Sequence, residues 1–173
     1  MIVDLEWSEV AIACHEAVVR ATSNKSLGTA QKHGMTNDFF SGLRIDVLGC
    51  LGEIAYAKGL NRFWSGQRGM HAPDVASCVE VKTIDANHKH LFILMDDTII
   101  QPEISALAQV GVDPTRVALL GWTFTAEGKQ EKNLFEPRPG SIVYRVRREH
   151  LRPVEELVRM LGDGDAFLQR GAA

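Results

Sequence analysis

The stretch that most constrains this chain is CVEVKTI, residues 78–84, where Val79, Val81 and Ile84 largely alternate with Glu80, Lys82 and Thr83. Alternation at a period of two, with this valine and isoleucine content, predicts a half-buried strand. Residues two apart on a strand share a face, so Val81 is expected in the core while Glu80 and Lys82 point together into a cleft. Asp74 follows Pro73 and lies six positions before Glu80, close enough to occupy a neighbouring antiparallel strand. Directly opposed hairpin residues share a face. A three-residue loop at residues 77–79 would therefore oppose Asp74 to Lys82, with Glu80 diagonal on the same side, whereas a two-residue loop at Ser77 and Cys78 would throw Asp74 to the other face. Convergence of the three groups requires an odd-length or irregular turn.

Residues 4–22 place Trp7, Val10, Ala11, Cys14, Ala17, Val18 and Ala21 at helical spacing, with Asp4 or Ser8 available as the N-cap. His15 and Glu16 fall on or near the polar side of that helix. Residues 23–41 mix Gly, Ser, Asn and Lys without sustained periodicity and read as a long loop. Its Lys25, Lys32 and His33 either touch a phosphate backbone or are simply solvated. A second helix is expected over 43–59, with Val47, Leu48, Leu51, Ile54 and Ala55 as its core stripe and Gly59 at its end. Gly49 and Gly52 lie inside it, each costing about 1 kcal/mol relative to alanine, which suggests that something approaches the backbone closely. Glu53 stands beside them on a flank with Asp46, Gly49 and Cys50. It either leans over a sheet edge or sits at the helix boundary in water.

Residues 60–72 read as a short strand and turn made locally basic by Arg62, Arg68 and His71. After Lys82, IDANHKH is a polar turn and LFILM a buried strand. His88 and His90 have a spacing that can hold a metal but no third ligand in fixed register, so a phosphate contact through His88, Lys89 or His90 is the better expectation. Residues 104–112 fit both a strand and a helix face. The turn signal Asp113-Pro114-Thr115 and the strand-like VALLGWTF beyond it favour a hairpin. Residues 128–140 read as a polar connection, SIVYRV as a strand, and Pro153 as the opening of a last helix with Val154, Leu157, Val158 and Leu161 inward. The basic run RVRREHLR, residues 145–152, fits a solvated strand-to-helix corner better than a phosphate track.

At 173 residues, 45% apolar and 24% charged, the chain is expected to be one soluble globular domain. Cys14, Cys50 and Cys78 are odd in number and lack zinc-site spacing, which suits a reducing cytoplasm. No apolar run reaches the length of a membrane span, and MIVDLEW lacks the regions of a signal peptide. A formal net charge of −3 argues against non-specific coating of nucleic acid but not against an enzyme acting on it.

A helix carrying GEIAYAK, followed by PD and then by EVKT on a buried strand, resembles the PD-(D/E)XK nuclease superfamily, whose fold is restriction-endonuclease-like. The resemblance covers roughly residues 43–125, and GWTFTAE and HLRPVEEL also look like segments of small bacterial and phage members. It implies an α/β fold with a mixed, twisted sheet flanked by helices and a metal centre at one sheet edge. By the same resemblance Asp74 and Glu80 match the metal-binding acids, the Val81 carbonyl completes the protein ligands, Lys82 matches the catalytic lysine, and Glu53 matches a helix carboxylate. The cofactor implied is Mg²⁺ or Mn²⁺ and the substrate DNA, with Lys89, His88 and Arg68 as expected backbone contacts. A homodimer would serve cleavage of both strands of a duplex. The competing reading is a catalytically inactive DNA-binding or assembly module, in which Asp74, Glu80 and Lys82 form a structural ion-pair cluster.

Overall fold

A computed structural model describes residues 1–26, 38–66, 73–95 and 102–162. Strand β1 (Ile2–Asp4) leads into helices α1 (Trp7–Ser26) and α2 (Phe39–Gly59), followed by strands β2 (Val79–Ile84), β3 (His90–Leu94), β4 (Ile104–Val110) and β5 (Arg116–Phe124). A one-turn helix α3 (Thr125–Gly128), strands β6 (Leu134–Arg138) and β7 (Ser141–Arg147), and helix α4 (Val154–Gly162) complete the described chain. The fold is mixed α/β, with a four-stranded sheet in the order β1-β5-β4-β2 and a three-stranded antiparallel sheet in the order β3-β7-β6. The larger sheet is mixed, because β2 runs parallel to β4 while β5 is antiparallel to both β4 and β1.

Helix α2 begins where the Asp38 carboxylate accepts the Phe40 and Ser41 N–H groups at 2.9 and 3.0 Å, satisfying two orphan donors of the first turn. Helix α1 is capped differently from expectation. Asp4 belongs to β1 and Ser8 to the helix interior, while the Glu9 carboxylate accepts the Glu6 N–H at 2.7 Å, in the manner of the returning arm of a capping box. The long loop expected over 23–41 is shorter than that, since α1 runs to Ser26 and α2 starts at Phe39. Lys32 and His33, like the Lys25 side chain, lie outside the described residues. Two strands escaped the sequence reading. β1 is three residues long, and β6 falls in the stretch expected to be a plain polar connection.

One core lies on the face of the larger sheet that carries Val79, Val81, Ile104, Ala106 and Ala108, packed against Leu51, Ile54, Ala55 and Tyr56 of α2 and Leu157 and Leu161 of α4. On the opposite face Leu107 meets Leu91, Ile93 and Val146 of the smaller sheet, with Ile84 and Leu120 alongside. Lys82 pairs with Leu107 and Ile84 with Gln109, so Lys82 shares that second face. The interior glycine expected to admit a close neighbour does so at Gly52, where a Cβ would stand 1.9 Å from Thr83 Oγ1 of β2. Gly49 has no such contact. The β4–β5 pairing shifts between Leu107 and Ala108. There the buried Tyr56 hydroxyl lies 3.1 Å from the Leu107 carbonyl and 2.8 Å from that of Gly121, supplying a donor where the ladder is irregular.

Candidate active site

Strand β2 is an edge strand of its sheet, and the residues preceding it fold back along the open edge. Val75 bridges Val79 across a three-residue turn at residues 76–78, in which Ala76 and Ser77 adopt left-handed φ values of 53° and 55°. The turn has the odd length that convergence requires, one position earlier than the sequence suggested, so Asp74 is drawn toward Glu80 and Val81 rather than toward Lys82. Its Oδ2 accepts the Val81 N–H at 2.7 Å. Because the N–H and C=O of a strand residue point the same way, the Val81 carbonyl also faces this open edge. Glu80 and Lys82 stand together on the second face of the sheet, and their side chains form an ion pair.

Glu53 reaches the same edge from α2 on the other side. It is only 5% exposed, so it is not a boundary residue in water. Arg20 of α1 grips it with two parallel bonds, Nη1 to Oε1 at 2.7 Å and Nη2 to Oε2 at 2.8 Å, and Trp64 Nε1 donates to Oε2 at 2.9 Å. A carboxylate has about four lone-pair positions, and these bonds leave one on Oε1. Beside Oε1 lies Gly49, where a Cβ would stand 3.9 Å from that oxygen. Arg20 stays protonated because its bond to Glu53 and that carboxylate's charge outweigh the cost of burial. Sequence reasoning missed Arg20 and Trp64. Neither stands out alone; each gains its role from Glu53, and the arginine one turn after Glu16 was the available cue.

Asp74 carries the clearest electrostatic signature. Burial first, then the charges of Glu53 and Glu80, push its carboxyl up to about 7, against the pull of the Val81 N–H and Lys82. Asp46, about two turns before Glu53, is also raised, by burial first. Cys50 and Cys78 are pushed up to about 12 and about 11 by burial, so neither is a nucleophilic thiolate.

Among the described residues no three His, Cys, Asp or Glu side chains form a ready metal cage. The donors at the edge are Asp74, Glu80 and the Val81 carbonyl. Magnesium commonly takes one or two carboxylates and keeps several waters, so this oxygen set suits a hard divalent cation, and the raised Asp74 carboxyl marks a place short of positive charge. In the described arrangement Glu53 serves Arg20 and Trp64 first.

His88 lies away from this edge, its Nδ1 bonded to Asp85 at 2.7 Å in the turn after β2, with exposed Lys89 beside it. Arg68 and His71 lie outside the described residues. No family model, curated protein or solved structure matches this chain. No helix among the described residues is long and apolar enough to cross a membrane.

Proposed function

We propose that the chain is a divalent-metal-dependent nuclease that hydrolyses phosphodiester bonds in DNA, on a variant of the restriction-endonuclease-like fold. The observation that carries this reading is the meeting of Asp74, Glu53 and the Glu80–Lys82 pair around one open strand edge, with the Asp74 carboxyl pushed up to about 7 by burial and then by its acidic neighbours. Strongly perturbed carboxylates concentrate at functional sites because catalysis tolerates electrostatic strain that folding alone would remove.

Asp74, Glu80 and the Val81 carbonyl would hold a Mg²⁺ or Mn²⁺ ion, which when bound supplies charge for the scissile phosphate and a more acidic water. The chain's own groups do the rest. Asp74 is fixed in orientation at the edge by the Val81 N–H, which bonds its Oδ2. Lys82, on its own strand two residues from Glu80, presents an ammonium that orients the attacking water or offsets the charge that builds on the phosphoryl oxygens. Glu53, clamped by Arg20 and Trp64, keeps negative charge close to Asp74 and holds the edge in place.

The competing reading, an inactive binding or assembly module, draws on one observation: Arg20–Glu53 and Lys82–Glu80 are already paired without a cation. Cleavage of linear, nicked, single-stranded and branched DNA with Mg²⁺ or Mn²⁺ separates the two. Wild type should cut, and Lys82→Ala and Asp74→Asn should each lose at least about 100-fold in rate while staying folded, on the scale of removing one transition-state stabiliser. No cutting by wild type, together with no metal binding by calorimetry, establishes the module instead.

A further inference from the structure

A second feature lies on the same face of the larger sheet as Glu80 and Lys82. The turn after β2 and the end of β7 enclose a cleft of about 700 Å³, floored by Gln109 and Leu120 and walled by His88, Lys89, His90, Arg145, Arg147 and Arg148. Two segments that are remote in sequence build it, brought together by the antiparallel pairing of His90 with Arg147. Its four permanent cations face a single carboxylate, Glu149. That carboxylate reaches Arg147 only at 3.8 Å, between two well-exposed side chains, a pair of little energetic weight. No carboxylate among the described residues pairs with Lys89, Arg145 or Arg148. Arg145 instead lies over the Phe135 ring at 3.8 Å, which fixes its guanidinium at the cleft wall. The turn is itself anchored, since Gln109 Nε2 donates to the Asp85 carbonyl at 3.2 Å.

In a chain of net charge −3, such a concentration of unpaired or weakly paired cations calls for a polyanion. We infer that this cleft binds the phosphodiester backbone of DNA through Lys89, Arg145, Arg147 and Arg148, several nucleotides away from the Asp74–Lys82 edge. Ala86 at the cleft rim lies four positions after Lys82, a span of at most about 14 Å. A DNA strand rising about 3.4 Å per nucleotide covers that distance in about four nucleotides. One strand lying across this face therefore reaches both places. That the bound strand continues to Asp74 and Lys82 rests on the nuclease reading; binding in the cleft does not.

The test is fluorescence anisotropy of the full chain with labelled duplex and single-stranded 20-mers in EDTA, where metal-dependent cutting is silent, over a series of salt concentrations. The triple variant Lys89→Ala/Arg147→Ala/Arg148→Ala changes only exposed side chains. It should weaken binding at least roughly tenfold near 0.1 M salt and flatten the plot of log affinity against log salt by about two to three, one for each lost phosphate contact. Wild-type binding with these losses in the variant, but no cutting when Mg²⁺ is added, supports the cleft and removes the nuclease. Cutting by wild type with variant binding and salt slope unchanged overturns the cleft and leaves the nuclease standing. Displacement of the DNA by equimolar inorganic pyrophosphate would make this a small-polyanion site and overturn the assignment to a DNA backbone.

Discussion

At the residue scale the decisive group is Asp74. Its carboxyl keeps a proton up to about 7 in the folded chain, whereas an unperturbed one releases it near 3.8. Between those values the native state binds more protons than the unfolded state, so the stability of metal-free protein should fall as pH rises from about 4 to about 7 and level off above. Asp74→Asn keeps an acceptor for the Val81 N–H and removes the charge. Thermal melts in EDTA should show the variant without that fall and more stable than wild type at pH 8. A variant that is less stable at pH 8 would mean that the ionised carboxylate is not under strain. The Arg20–Glu53 bond sets the opposite case. Arg20→Ala strands a buried carboxylate, which should cost about 3–5 kcal/mol in urea denaturation. Arg20→Lys should recover only part of this, because a single ammonium cannot make the two parallel bonds. A fully stable Arg20→Lys would show that charge alone, without the fork geometry, holds Glu53.

At the scale of elements, the two glycines of α2 have separate meanings. An alanine at 52 meets Thr83 Oγ1 at 1.9 Å and its Cβ and Cγ2 at 3.0 Å, so helix and strand would have to part. Gly52→Ala should therefore destabilise by about 1–3 kcal/mol despite its better helix propensity. Gly49→Ala meets only Glu53 Oε1 at 3.9 Å and should gain up to about 1 kcal/mol. Denaturant titration of both variants checks the contrast, and equal losses would place the cost in the helix rather than in its contact with β2. This close approach was legible in the sequence because two interior glycines oppose helix propensity, but only coordinates tell which one the strand touches. The β2 alternation and the β4–β5 hairpin were legible for the same reason, a strong local period. Strand β1 was not, since three residues carry no period, and β6 was hidden by Pro137 and by its mostly exposed side chains. The Arg20 and Trp64 partners of Glu53 were invisible because their pairing is tertiary, across 33 and 11 positions.

Across the whole molecule, the two sheets divide the work. The larger one, backed by α1, α2 and α4, places the acidic edge; the smaller one places most of the basic wall. They are joined by few buried side chains, Leu91, Ile93 and Val146 against Leu107, with the Ile93 tip fitted over Gly128 of α3. The larger sheet has its own extensive core on the opposite face. Truncation at the seam should therefore act on the smaller sheet first. Ile93→Ala removes a buried side chain at a cost of about 2–5 kcal/mol. In native-state hydrogen exchange the amides of β3 and β7 should lose most of that protection, while those pairing β4 with β5 change little. The cationic cleft lies between the two sheets, so the same variant should weaken DNA binding in EDTA even though every cleft cation remains. Equal loss of protection in both sheets would instead mark one cooperative unit, in which the edge that carries Asp74 and the cleft that carries Arg147 move only together.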